Sequence, residues 1–324
     1  MEARLSRRQF LKEAAAWVGT ATGLSFLGCR TTIIPDTKPE STAVPAQPIL
    51  PTKTEPATDI IKDGSNTFIF GDEVTKDQKD EIGHAVTEAS KWFSSQGIII
   101  DDISIFTFND PKLVVDKFLE RSSIPPTEHA SIRQNLSQAT AFSGMNRDFY
   151  IIASSPGWTS ASPIIGGPAR EGRYHTVAHE LFHVWQRMIG AYNQEPVAWL
   201  NEGIPHYIAA AFLRDIGMYD YEKIRKGHLS EVIKVPQLIS SLEVNSMFYR
   251  AGNPATADEY SLAFLAVEFL TKDLPNSGVK EVADFWKKIG EGISWQSAFN
   301  ESFGKTTIQF YNEFETYRKQ GFTN

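Results

Sequence analysis

His179-Glu180-Leu181-Phe182-His183, followed after eighteen residues by the Glu of Trp199-Leu200-Asn201-Glu202-Gly203, is the stretch on which the fold turns. On a helix, residues four apart share a face about one turn from each other. Two imidazoles at that spacing can reach one metal ion. The Glu beside the first His then lies next to the remaining coordination position, where it can take a proton from water that the metal acidifies. Such chemistry needs a third protein ligand and one open position. The His helix can run to about Ile189, roughly 10 Å past His183 at 1.5 Å per residue. Gly190 can end it, and Pro196 suits the first turn of a second helix. From Pro196 to Glu202 the chain returns roughly 9 Å. An antiparallel helix pair therefore brings Glu202 level with His183. The spacing predicts one Zn2+ per chain on His179, His183 and Glu202, with Glu180 as general base.

The same pentapeptide also occurs by chance on solvated helix turns, so the flanks matter. Val177, Ala178, Leu181, Phe182, Val184 and Trp185 surround it, which predicts a largely buried helix. Buried His and Glu need partners, and a shared metal supplies them.

The HELFH motif, the eighteen-residue gap and the Glu of WLNEG together resemble the gluzincin metallopeptidases of the peptidase MA clan, the group of aminopeptidase N-like enzymes and thermolysin. The likeness is nearest to the small peptidase MA-like proteins and runs from about Phe149 to Tyr317. It implies a thermolysin-like zincin catalytic fold, one zinc and peptide-bond hydrolysis. By motif it carries the ligand role to His179, His183 and Glu202, and the base role to Glu180. Gluzincins similar to aminopeptidase N also place a catalytic Tyr on a helix downstream of the third ligand, which points to Tyr260 in Asp258-Glu259-Tyr260-Ser261. A Tyr that only packs a helix end is the alternative. These proteins often carry an acidic residue one turn after the ligand Glu, where this chain has His206. His206 can support the ligand shell, line the cleft or itself bind the metal. His175, one turn before His179, reads as a cleft or structural residue, since a further ligand would close the open position. Asn201 braces or caps its helix. Gly144-Met145-Asn146 lacks the Glu with which aminopeptidase N-like enzymes hold a free amino group, so an endopeptidase is the better expectation.

The first residues predict an address. Ser6-Arg7-Arg8-Gln9-Phe10-Leu11-Lys12 resembles a twin-arginine export signal, and Ala14 to Leu27 is apolar but short for a membrane span. Phe26-Leu27-Gly28-Cys29 resembles a bacterial lipobox, with cleavage before Cys29 and lipid on its thiol. Cys29 is the single Cys of the chain, so no intramolecular disulfide forms. Residues 29–58, rich in Pro and Thr, read as a disordered tether. The expected location is the bacterial cell envelope, on the extracytoplasmic side of the anchoring membrane. The whole chain carries a net charge of −7. Without residues 1–28, which hold four basic and two acidic side chains, it carries −9. That balance disfavours nucleic-acid binding.

Residues 59–324 read as an α+β catalytic domain, with a small α/β lobe (59–170) before a mostly helical lobe (171–324). Strands are expected at Thr67–Phe70, Ile98–Phe108 and Phe149–Ala153, and helices at Lys76–Phe93, Leu113–Leu119 and His129–Gln138. Ser154–Gly172 reads as a loop on a cleft rim. Helices follow at Tyr174–Ile189, Pro196–Arg214, Tyr260–Lys272, Lys280–Lys288, Trp295–Glu301 and Thr307–Arg318. The expected partner is a polypeptide substrate. A non-peptide amide hydrolase of the same fold and a non-catalytic metal-binding envelope lipoprotein are the alternatives.

Overall fold

Alternating side chains on three short strands divide the α/β lobe into two layers of core. The computed structural model describes residues 58–137, 139–144, 146–160, 169–191, 197–232, 235–243 and 257–322. The expected signal peptide, Cys29 and nearly all of the expected tether lie outside the described residues, as do Pro196 and Met145. A five-stranded sheet has the order β1-β2-β3-β5-β4, from β1 (Thr58–Asp63), β2 (Asn66–Gly71), β3 (Ser104–Phe108), β4 (Ala141–Ser143) and β5 (Asp148–Ile152). The pairs β2–β3 and β3–β5 are parallel, while β1 and β4 flank them antiparallel. Because successive side chains point to opposite faces, Phe68, Phe70, Ile105, Phe149 and Ile151 enter one core. Phe106, Phe108, Tyr150 and Ile152 enter the other.

The second core is closed by α2 (Pro111–Arg121) and α3 (His129–Leu136), through Val114, Val115, Phe118, Ile132 and Leu136. The first is continuous with the rest of the molecule. It takes in α1 (Lys76–Ser95), where Ile82, Val86, Ala89 and Phe93 form the buried stripe expected from their spacing. Thr75 starts that helix with a reciprocal cap to Gln78. After a single turn, α4 (Pro156–Thr159), the chain becomes helical: α5 (Ala169–Met188), α6 (Ala198–Asp215), α7 (Tyr221–Val232), α8 (Ala257–Thr271), α9 (Val279–Gly290), α10 (Trp295–Phe303) and α11 (Thr307–Lys319). A small mixed sheet followed by helices is thus the architecture, in agreement with the α+β expectation at that level.

The structure corrects several boundaries. Residues 98–103 are not strand; only Ser104–Phe108 pairs in the sheet. Ile98 and Ile100 are buried without pairing, so their apolar character serves the core and not a ladder, while Ile103 adjoins the ladder, its carbonyl accepting from the Thr67 N–H at 2.9 Å. Thr58, expected as the tether's last residue, already belongs to β1, which pairs along its whole length with β2. The expected loop 154–172 contains α4 and the first turn of α5, so the lobe boundary at 170/171 falls inside a helix. Besides α4, the elements β1, β4 and α7 have no counterpart among the expected ones. β1 is exposed throughout, and α7 mixes charged residues into a weak apolar pattern.

Helices α5 and α6 are the centre of the molecule. From Val177 to Gln186 every residue of α5 is buried, as is α6 from Ala198 to Leu213. A helix buried on all faces has to satisfy its polar side chains internally. Gly190 takes φ +75° just past α5, the left-handed conformation that ends a helix cheaply only in glycine. At Gly203, α6 approaches α8 so closely that an added Cβ would lie 2.6 Å from the carbonyl oxygen of Ala263.

Candidate metal centre

Helix pitch alone puts His179 and His183 on the side of α5 that faces α6. Their Nε2 atoms lie 3.1 Å apart. Glu202, on the returning helix, sets Oε2 3.6 Å from His179 Nε2 and Oε1 3.7 Å from His183 Nε2. Four tetrahedral ligands at about 2.0–2.1 Å from an ion stand roughly 3.3–3.4 Å from one another. Each histidine therefore stands near that separation from Glu202, but from a different carboxylate oxygen, so an ion shared by all three would need the carboxylate to turn or to bind through both oxygens. His179, His183 and Glu202 are 4%, 1% and 0% exposed. Glu202 lies beside His183 and His179, across from them on the returning helix.

The neighbours of His183 fix its chemical form. Its Nδ1 donates to the side-chain oxygen of Gln186 at 2.7 Å, and Gln186 in turn donates to Oδ1 of Asn201 at 3.4 Å. With hydrogen on Nδ1, a neutral ring keeps its Nε2 lone pair toward Glu202 and His179. Burial holds the His183 pKa well below its ordinary value, His179 and Arg187 add to this, and the bond to Gln186 opposes it. Asn201 thus braces α5 through Gln186. Gln186 was missed in the sequence; its position three residues after His183, on the same helix face, was the available signal.

Glu180 is 2% exposed. Burial pushes its carboxyl up to about 7; Glu202 adds to the rise, while His179, Arg187 and the backbone of Ser143 oppose it. Ser143 ends β4, the strand at the sheet's edge, so the sheet and the motif helix meet at this carboxyl.

A second tier of histidines lies behind the first. His206, one turn after Glu202, has its ring centre 4.4 Å from that of His179, 5.4 Å from His175 and 5.2 Å from the ring of Tyr260. Among the described residues, His179, Glu202 and His206 form a buried group whose ligand atoms all lie within 4.8 Å of one another, so this group can hold a metal ion. Among the described residues, His206 has no hydrogen-bond partner on either ring nitrogen, and His179 has none on Nδ1. Donor atoms that are buried, uncharged and unsatisfied suit a cation, and the His and carboxylate donors suit zinc chemistry. His175 stands farther off, 6.4 Å from His179 between ring centres, and is not part of the group. Burial takes its pKa down to about 3, with His179 and His228 adding to the fall.

Tyr260 lies in the first turn of α8, 9% exposed, and reaches the site through its contact with His206. His228, which the sequence reading left without a role, is buried on α7 with Nδ1 2.9 Å from Ser261 Oγ. Only the packing of α7 on α8 could have revealed it. Among the described residues, no helix is long and apolar enough to cross a membrane. No family model matches the chain, and no curated protein matches it.

Proposed function

We propose that this chain is a zinc-dependent peptidase of the gluzincin type, built on a thermolysin-like zincin fold and acting as an endopeptidase in the bacterial cell envelope. One observation carries the reading: the Nε2 atoms of His179 and His183 and the carboxylate of Glu202 converge at 3.1–3.7 Å, with the buried carboxyl of Glu180 beside them. A zinc ion held there supplies Lewis acidity toward a carbonyl and toward water. Glu180 accepts the proton of the attacking water and returns it to the leaving nitrogen. Burial, which disfavours the charged carboxylate, favours its taking up that proton. Gln186 and Asn201 hold His183 in the tautomer that leaves Nε2 free to bind. Tyr260 is the proposed donor to the oxyanion.

Export by the twin-arginine signal and anchorage through lipid on Cys29 complete the proposal and rest on residues 6–12 and 26–29 of the sequence.

A second reading, a metal-binding protein without turnover, is favoured by His206, which forms with His179 and Glu202 a buried group able to hold a metal ion and which, added to His183, would make a fourth ligand. A fourth protein ligand leaves no open position. The full-length chain, incubated with a labelled protein mixture, separates the two. The peptidase reading expects cleavage that zinc sustains, a chelator stops and Glu180→Gln abolishes while zinc is retained. Zinc bound in both forms with no cleavage of any substrate would leave the second reading standing.

A further inference from the structure

Helix α6 presents two donors one turn apart, Glu202 and His206, to the side of α5 that presents His179 and His183. The site is therefore built of two antiparallel pairs, although the motif accounts for three of the four side chains. His206 is 2% exposed, and among the described residues both its ring nitrogens lack a partner. Leaving a buried polar group unsatisfied is costly. At His183 and His228, by contrast, Nδ1 is engaged, by Gln186 and Ser261. The ring centre of His206 is 4.4 Å from that of His179, comparable with the 4.8 Å between His179 and His183. Two imidazoles sharing an ion at about 2.05 Å place their ring centres roughly 4.5–5.3 Å apart.

We infer that His206 is a fourth, displaceable protein ligand that covers the open metal position in the resting protein. The inference rests on the metal site proposed above. A site closed by four protein ligands has no use for the base that Glu180 provides, so His206 has to leave before substrate can bind. The structure offers it a place to go. His175 lies 5.4 Å away between ring centres, is itself 2% exposed, and has an Nε2 without a partner. A neutral imidazole both donates and accepts, so His206 turned toward His175 exchanges its metal bond for a hydrogen bond and gives Nε2 of His175 a partner. Substrate binding then drives the exchange, and an empty site stays capped.

Cobalt-loaded full-length chain tests this without reference to activity. Each histidine bound to paramagnetic Co2+ gives one strongly shifted, solvent-exchangeable ring N–H resonance. The inference expects three in the wild type, from His179, His183 and His206, and two in His206→Ala and His206→Gln. Saturating acetohydroxamate should reduce the wild type to the same two. A position covered about nine times in ten weakens an incoming ligand about tenfold, so acetohydroxamate should bind His206→Ala about tenfold more tightly. Two resonances in the wild type with cobalt retained, or three that all survive acetohydroxamate, would overturn the inference and leave the metal site intact. No retained cobalt would remove both. The wild-type count stands even where a variant does not fold.

Discussion

His183 Nδ1 donates to the side-chain oxygen of Gln186 at 2.7 Å, and this bond decides which nitrogen of His183 faces Glu202. Gln186→Leu removes the acceptor while keeping the volume. Partners of this kind are worth about 10–100-fold in metal affinity, so zinc should bind that much more weakly to the variant, with the fold retained. Competition against a fluorescent chelator measures this; an unchanged affinity would show that Gln186 does not orient the ring.

Tyr260 donates to the oxyanion in the proposed mechanism. Tyr260→Phe should lower kcat by roughly 10²–10³ and leave KM nearly unchanged, because the bond strengthens in the transition state. Zinc content and Tm should stay put. A fully active Phe variant would assign Tyr260 to packing, where truncation to Ala costs about 3 kcal/mol or more.

Gly203 sits beside the ligand Glu202 at the closest approach of α6 and α8. In Gly203→Ala the new Cβ would meet the Ala263 carbonyl oxygen at 2.6 Å and the Ala263 Cβ at 3.0 Å. Both are backbone or backbone-fixed atoms, so a helix has to shift. Overpacking of this sort costs about 1–3 kcal/mol, and it should displace Glu202 enough to weaken zinc binding. Urea midpoints together with zinc affinity provide the check. A variant as stable as the wild type would mean that the two helices separate freely.

His228 links the helical lobe to pH. Burial lowers its pKa from an ordinary 6.5 to about 3. Between these values the unfolded chain takes up a proton that the folded chain refuses. The stabilisation is therefore complete above about pH 6.5 and is lost as pH falls toward 3, by about 1.4 kcal/mol per pH unit. In chelator, His228→Asn should flatten the dependence of unfolding free energy on pH between 6 and 4 by about that slope. Identical slopes would show that His228 titrates in the folded protein.

Cys29→Ser should release the protein from membranes, since the lipidated residue is the proposed anchor, and Lys at both Arg7 and Arg8 should block export. Fractionation of cells measures both. Normal export of the double variant would point to another secretion route.

The order of helices and the pairing of His179, His183 and Glu202 were legible because both depend on local periodicity. A four-residue step is one turn wherever the helix lies, and the length of chain between Gly190 and Glu202 allows few returns. The apolar flanks of the motif foretold a buried α5 for the same reason. Residues 98–103 misled because buried isoleucines look alike in a strand and in an unpaired core segment, and only neighbouring strands decide between them. β1 was illegible because an exposed edge strand has no alternation to read.

The types and spacing of a few side chains on two helices were enough to pick out residues that could hold a metal ion. Tertiary structure alone decided what surrounds them: Gln186 and Asn201 joined behind His183, His228 bonded to Ser261, and His206 brought beside His179. Apart from the His183–Gln186 bond, which lies within α5, these contacts cross between helices, and their geometry depends on how closely α5, α6, α7 and α8 pack. That closeness is set by small residues such as Gly203 and by the fit of the whole core, which no local pattern in the chain encodes.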